Sequence, residues 1–230
     1  MKKHVYALIL LIVLLSGCSN QTQQQTVITV SAASSLSDVL QNVAAQFQEE
    51  HPTINIQFNF GASGSLKEQI EQGAPVDLFL SASSEKYEEL VNEQLIDNSV
   101  NLASNEIVLI TSVKSTVNLH EFSDLVHDDI EKIAIGTPTV VPAGTYGKQA
   151  LHDYDVWTII ENKIVYAKDV RQVLTYVETN NAQAGIVYKT DALSSDKVRI
   201  VNTADKSSHD AIFYPAGVVN STKAPEEARL

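Results

Sequence analysis

Val30-Ser31-Ala32-Ala33-Ser34-Ser35-Leu36 is the stretch that decides the fold. A short β-branched run, residues 27–30, ends there in small and hydroxyl residues, and an amphipathic helix starts at once. Leu36, Val39, Leu40, Val43, Ala44 and Phe47 follow the spacing of one buried helical face. His51-Pro52 closes that helix, because the residue before a proline is pushed out of the helical region. A second junction of the same kind, Phe60-Gly61-Ala62-Ser63-Gly64-Ser65-Leu66, follows the alternating strand Ile54, Ile56, Phe58, Phe60. Each junction sets serine hydroxyls and free backbone N–H groups at a helix start, an arrangement that attracts anions. Neither junction carries Lys or Arg, so together they point to a small, fully ionised oxyanion.

The pattern continues outward from these junctions. A helix over 65–72 stops at Gly73, a strand covers 76–80, and a helix over 85–94 turns Tyr87, Leu90 and Val91 inward. Residues 106–111 form a strand with no helix directly behind it. The alternation then restarts with strands at 133–135, 164–167, 184–188 and 198–201, and with helices at 144–152 and 169–178. Strands alternating with helices imply right-handed βαβ units and an α/β fold. Residues 211–219 read as a strand beside the 106–111 strand that returns the chain to its first part. The expected architecture is two lobes, each a mainly parallel sheet flanked by helices, joined by two crossing segments with a ligand cleft between them. The first lobe is 27–108 plus 211–230 and the second is 109–210. Residues 224–230, with Pro225 ahead of Glu226 and Glu227, read as the opening of a helix expected to run on.

The N-terminal end has a different character. Residues 1–17 read as a lipoprotein signal peptide: Lys2 and Lys3 precede an apolar run from Ala7 to Leu15, too short for the roughly 20 residues of a membrane span. Leu15-Ser16-Gly17-Cys18 resembles the bacterial lipobox, whose cysteine becomes the lipidated first residue. Cys18 is the only cysteine, so an internal disulfide is excluded. Residues 18–26, rich in Gln and Thr, read as a lipid-anchored tether. The chain carries 28 acidic against 16 basic residues, net −12, and removing Lys2 and Lys3 takes this to −14. Such a surface argues against nucleic acid binding and against long-range steering of anions, so an anion site here works by short, directed hydrogen bonds.

Ligands of open α/β sheets sit at the carboxyl ends of the strands. Those ends offer Ser34 and Ser35, Ser63, the loop 136–145, Lys168-Asp169-Val170 and Tyr188. The residues now in view resemble the molybdate-binding proteins of ABC importers, within the type II class of two-lobed periplasmic-type binding proteins. The resemblance spans 27–230 and is carried by six blocks: I-T-V-S-A-A-S-S-L at 28–36, F-G-A-S-G-S-L at 60–66, G-A-P-V-D-L-F-L-S-A at 73–82, V-P-A-G-T-Y-G-K-Q-A-L at 141–151, D-V-R at 169–171 and A-G-I-V-Y at 184–188. It implies side-chain contacts to molybdate, and also to tungstate, from Ser35, Ser63 and Tyr188, and backbone N–H contacts from Ser35, Ser63, Ala143 and Val170. It implies no cofactor, no bare metal cation and no enzymatic reaction. It further implies an extracytoplasmic, lipid-anchored monomer whose partners are an ABC permease and its ATPase. Two departures stand out. Ser34 precedes Ser35 where Ala is common, which offers a further contact, and Gly64 follows Ser63 where Ser is common, which removes a donor. Asp169, beside a dianion, is expected to cap its helix or to pair with Lys168 or Arg171, its carboxylate turned away from the pocket.

Other readings of the same residues compete. Ser35 alone reads as an ordinary N-cap, Tyr188 as a half-buried core residue and Tyr146 as packing. Gly61-Ala62-Ser63-Gly64-Ser65 has Ser65 where the last glycine of a hydrolase elbow belongs. His51, His120, His127, His152 and His209 fall in helical or connecting segments, away from the strand ends. His127-Asp128-Asp129 reads as a solvated loop and not as a metal site. The alternatives to molybdate capture are a receptor for another tetrahedral oxyanion such as sulfate, and a sensory lipoprotein outside transport.

Overall fold

The computed structural model describes residues 25–97 and 100–230. The expected signal segment, Cys18 and all but the last two residues of the tether lie outside the described residues. Within them the chain forms two five-stranded sheets.

The first sheet contains β1 (Thr26–Ala33), β2 (Ile54–Gly61), β3 (Leu78–Leu80), β4 (Val100–Ser104) and β10 (Phe213–Val218), in the order β2-β1-β3-β10-β4. β1 runs parallel to β2 and β3, and β10 runs antiparallel to β3 and β4. The second sheet contains β5 (Ile107–Ser112), β6 (Ile133–Gly136), β7 (Ile164–Ala167), β8 (Ala184–Tyr188) and β9 (Val198–Thr203), in the order β7-β6-β8-β5-β9. Here β6 is parallel to β7 and β8, and β5 is the reversed strand. The two sheets therefore share one plan. Each has four strands in one direction, and the strand that has just crossed from the other lobe is inserted against them.

This arrangement moves two expectations. The strand at 213–218 does not lie beside the 106–111 strand. It pairs with β4, a five-residue strand left unmarked by the sequence reading, and all five of its residues are exposed. Ile107 and Val108, assigned to the first lobe from sequence, belong to the second sheet, where they pair with Tyr188 and Val187. The first crossing is thus Asn105-Glu106, and the second is residues 204–212. The two crossings are hydrogen-bonded: the Asn105 N–H donates to the Ile212 carbonyl at 3.3 Å and the Ala204 N–H to the Ile107 carbonyl at 2.9 Å.

Helices α1 (Ser37–Glu50), α2 (Ser63–Glu71) and α3 (Ser84–Asn92) flank the first sheet. Helices α4 (Pro142–Asp153), α5 (Trp157–Ile160), α6 (Val170–Glu178) and α7 (Lys189–Leu193) belong to the second. The α6 stripe is buried as expected, at Val170, Val173, Leu174 and Val177. The α1 stripe is not: Val39 and Val43 are exposed and only Ala44 is buried. The α1 face runs along an open apolar groove lined by Leu40, Phe47, Ile54 and Phe58, so its outer valines meet no opposing layer. Residues expected to open a C-terminal helix form a 3-10 turn, Glu227–Arg229, at one side of that groove. None of the described helices is long and apolar enough to cross a membrane.

Candidate functional site

Four helix starts converge on one cavity between the lobes. From the first lobe, β1 runs into a 3-10 turn, Ser34–Leu36, continuous with α1, and β2 runs into α2. From the second, β6 leads to α4 and β7 leads to α6. Three of these starts have no side-chain cap: Ala33, Ala62 and Val141 occupy the cap positions. The N–H groups of a first helical turn have no partner inside the helix, and without a capping oxygen they stay available. Ser35 is therefore not spent as an N-cap. At α4, Pro142 supplies the first helical residue and starts the helix without needing a donor there. At α6, Asp169 does cap: its Oδ1 accepts from the Gln172 N–H at 2.8 Å, which turns the carboxylate back onto the helix and leaves the Val170 N–H ahead of it.

The cavity is small, about 10 Å³, and is lined by residues of both lobes, among them Ser34, Ser35, Ser63, Ala143, Val170 and Tyr188. All five residues picked from the sequence thus share one small space, and no residue of its lining is charged. Among the described residues the backbone N–H groups of Ser35, Ser63, Ala143 and Val170 have no hydrogen-bond acceptor. Four helix N-termini add positive potential over their first turns.

The hydroxyls are held by neighbours. Ser63 is fully buried, and its Oγ accepts from the Ala82 N–H at 2.9 Å, which leaves its hydrogen free to donate. The Ala82 carbonyl accepts from the Tyr188 hydroxyl at 3.3 Å, long for an O–H···O bond and therefore readily exchanged. One peptide unit, Ala82, so joins a serine of the first lobe to the tyrosine of the second. Burial holds the Tyr188 hydroxyl well above the ordinary tyrosine range, so it keeps its hydrogen. The Ser35 Oγ lies 3.1 Å from the Tyr214 hydroxyl.

The lobes also touch around the cavity. The Gly64 N–H donates to the Val140 carbonyl at 3.0 Å. A Cβ at Gly64 would stand 2.8 Å from the Val140 Cα and carbonyl oxygen, so the glycine that departs from the common serine is what permits this approach. Arg171, one residue beyond Val170, reaches across to the first lobe. Its guanidinium donates to the Ser34 carbonyl at 3.4 Å and the Ser37 hydroxyl at 3.1 Å, and pairs with Asp38. On its own side Arg171 lies 3.3 Å from the Asp191 carboxylate, which is buried and has no hydrogen-bond partner among the described residues. Burial pushes the Asp191 carboxyl up to about 7 against the opposing pull of Arg171.

Sequence reasoning did not find Tyr214, Asn105 or the part played by Ala82. Ala82 and Arg171 lie inside quoted blocks. Tyr214 sits in a strand with no linear mark of its neighbours, and Asn105 lies in a two-residue crossing. Tyr146 packs in the second core as expected, 7% exposed.

Residues 28–230 match the family model described as bacterial extracellular solute-binding protein. A Bacillus subtilis protein provisionally named as an ABC transporter substrate-binding lipoprotein, YvgL, is 45% identical over 223 residues, 94% of this chain and 85% of that protein. The molybdate-binding protein ModA of Haemophilus influenzae is 34% identical over 213 residues, 90% of this chain and 83% of that one. A solved structure described, again provisionally, as the substrate binding domain of a Clostridium difficile molybdenum ABC transporter is 36% identical and superposes with a TM-score of 0.65, covering 88% of this chain and 89% of that one.

Proposed function

The chain belongs to the bacterial extracellular solute-binding protein family, and from that premise we propose that it captures molybdate in the inter-lobe cavity and delivers it to an ABC permease. Its task is capture, not turnover. The observation that carries the reading is the uncharged lining: Ser35, Ser63, Ala143, Val170 and Tyr188 in one cavity, with the Ser63 hydroxyl hydrogen and four backbone N–H groups free to donate.

A donor-only site suits a fully deprotonated tetrahedral dianion. Hydrogen bonds to charged groups contribute about 1.5–3 kcal/mol each, net. Roughly half a dozen of them reach micromolar to nanomolar affinity, about −8 to −12 kcal/mol, after the costs of association. The proton of monohydrogen phosphate would face a donor, which penalises phosphate. Ser35 and Ser63 supply hydroxyl and amide donors from the first lobe. Ala143 and Val170 supply amides from the second, and Tyr188 exchanges its long bond to Ala82 for one to the anion. Tungstate, of the same charge and shape, fits the same donors.

In this reading Cys18 carries the lipid anchor, the protein works as a monomer outside the cell membrane, and its protein partners are the permease and its ATPase. Calorimetry with molybdate, tungstate, sulfate and phosphate tests the proposal. Micromolar or tighter binding of molybdate with no heat from phosphate is the expected result, and a preference for phosphate would overturn it.

A further inference from the structure

We propose that Tyr214 and Asn105 are positioning residues that turn the proton of Ser35 into the cavity, so that this hydroxyl faces the bound anion as a donor. The inference rests on the oxyanion reading above and adds to it the origin of the donor-only character at one contact.

The bond directions follow from Asn105. Its Oδ1 accepts from the Glu106 N–H at 2.9 Å, which fixes the orientation of the side-chain amide. The amide nitrogen then uses both hydrogens: one goes to the Thr190 Oγ1 at 2.8 Å and one to the Tyr214 hydroxyl at 2.9 Å. An amide NH2 only donates, so the Tyr214 oxygen is the acceptor of that bond. Tyr214 is 2% exposed, and among the described residues its hydroxyl has one other partner, the Ser35 Oγ at 3.1 Å. A buried hydroxyl hydrogen without an acceptor carries a desolvation penalty, so Tyr214 donates to Ser35. Burial also raises the pKa of Tyr214, which keeps that hydrogen in place. With its oxygen already accepting, Ser35 directs its own hydrogen away from Tyr214, toward the cavity it lines. Successive bonds of one direction polarise and strengthen each other.

The base of this relay stands at the hinge. Asn105 is in the first crossing, Tyr214 in the strand that follows the second, and Thr190 in α7 of the second lobe. The donor direction at Ser35 is thus anchored to both lobes.

A double-mutant cycle read by molybdate calorimetry tests the relay. Tyr214→Phe should weaken molybdate binding by roughly 3- to 10-fold in the wild-type background and by less than about 2-fold in a Ser35→Ala background. It should also lower the ratio of molybdate to phosphate affinity, because a hydroxyl released from Tyr214 is free to turn its own hydrogen aside and accept a hydrogen bond from hydrogen phosphate. Asn105→Ala should show the same dependence on Ser35, which covers the case of a poorly folded Tyr214 variant. Equal losses in both backgrounds, or an unchanged ratio, overturn the relay and leave the oxyanion reading standing. Absence of molybdate binding by the wild-type protein, or full affinity in Ser35→Ala, overturns that reading and the relay with it.

Discussion

The first lobe brings two serine hydroxyls to the cavity, while the second brings the amides of two helix starts and one phenol. Each serine is backed by a donor of its own lobe, Ser63 by the Ala82 N–H and Ser35 by Tyr214. The second-lobe amides need no such backing, because Pro142 and the Asp169 cap shape the helix starts that present them. The difference lies in what a substitution can reach. A hydroxyl is removed by one change of side chain, whereas an amide persists under any residue but proline.

Ser63→Ala gives the largest expected effect. It removes a donor to the anion and leaves the buried Ala82 N–H without its acceptor, so affinity should fall roughly 10- to 100-fold. Calorimetry measures this directly, and an unchanged Kd would mean that the first lobe does not bind through its side chains.

Asp191 sharpens the comparison from the other side, since it lies beneath the arginine that bridges the two lobes. Its carboxyl is raised from 3.8 to about 7 by burial. Between those values the folded protein holds a proton that the unfolded chain has released, so this group's contribution to stability falls as pH rises through that window. Asp191→Asn should therefore flatten the decline of the melting temperature between about pH 4 and 7. Parallel melting curves for the two proteins would show that Arg171 keeps Asp191 ionised throughout.

Val170→Ala marks the small end. The side chain is lost from the second core but the N–H remains, so molybdate affinity should change by no more than about 3-fold while the melting temperature drops, as for any shortened core residue. A loss as large as that of Ser63→Ala would erase the distinction between the lobes.

Much of this was legible in the linear chain. The strand-helix junctions at Ser35 and Ser63, the Pro142 and Asp169 helix starts and the apolar stripe of α6 all rest on contacts within a few residues, which composition and spacing encode. The strand-end rule already offered the loop 136–145, Lys168-Asp169-Val170 and Tyr188, the resemblance to molybdate-binding proteins narrowed these to Ala143, Val170 and Tyr188, and the structure brings all of these into one cavity. The α1 stripe misled at Val39 and Val43 because periodicity records an apolar face and not whether another layer covers it. The place of the 213–218 strand misled because β4, its neighbour, is a short strand exposed throughout, Val100 and Leu102 included.

The sequence by itself determined that this is an α/β chain with small and hydroxyl residues at its first helix starts, and that neither serine junction carries Lys or Arg. Only the tertiary structure decided which strand crosses where, that Gly64 must lack a side chain to meet Val140, and that Ala82, Tyr214 and Asn105 orient the hydroxyls. The physical reason is distance along the chain. Ser35 and Tyr214 are 179 residues apart, as are Asn105 and Tyr214 by 109. A hydrogen bond closed over such a span leaves no trace in local spacing, and it forms only when both sheets are in place.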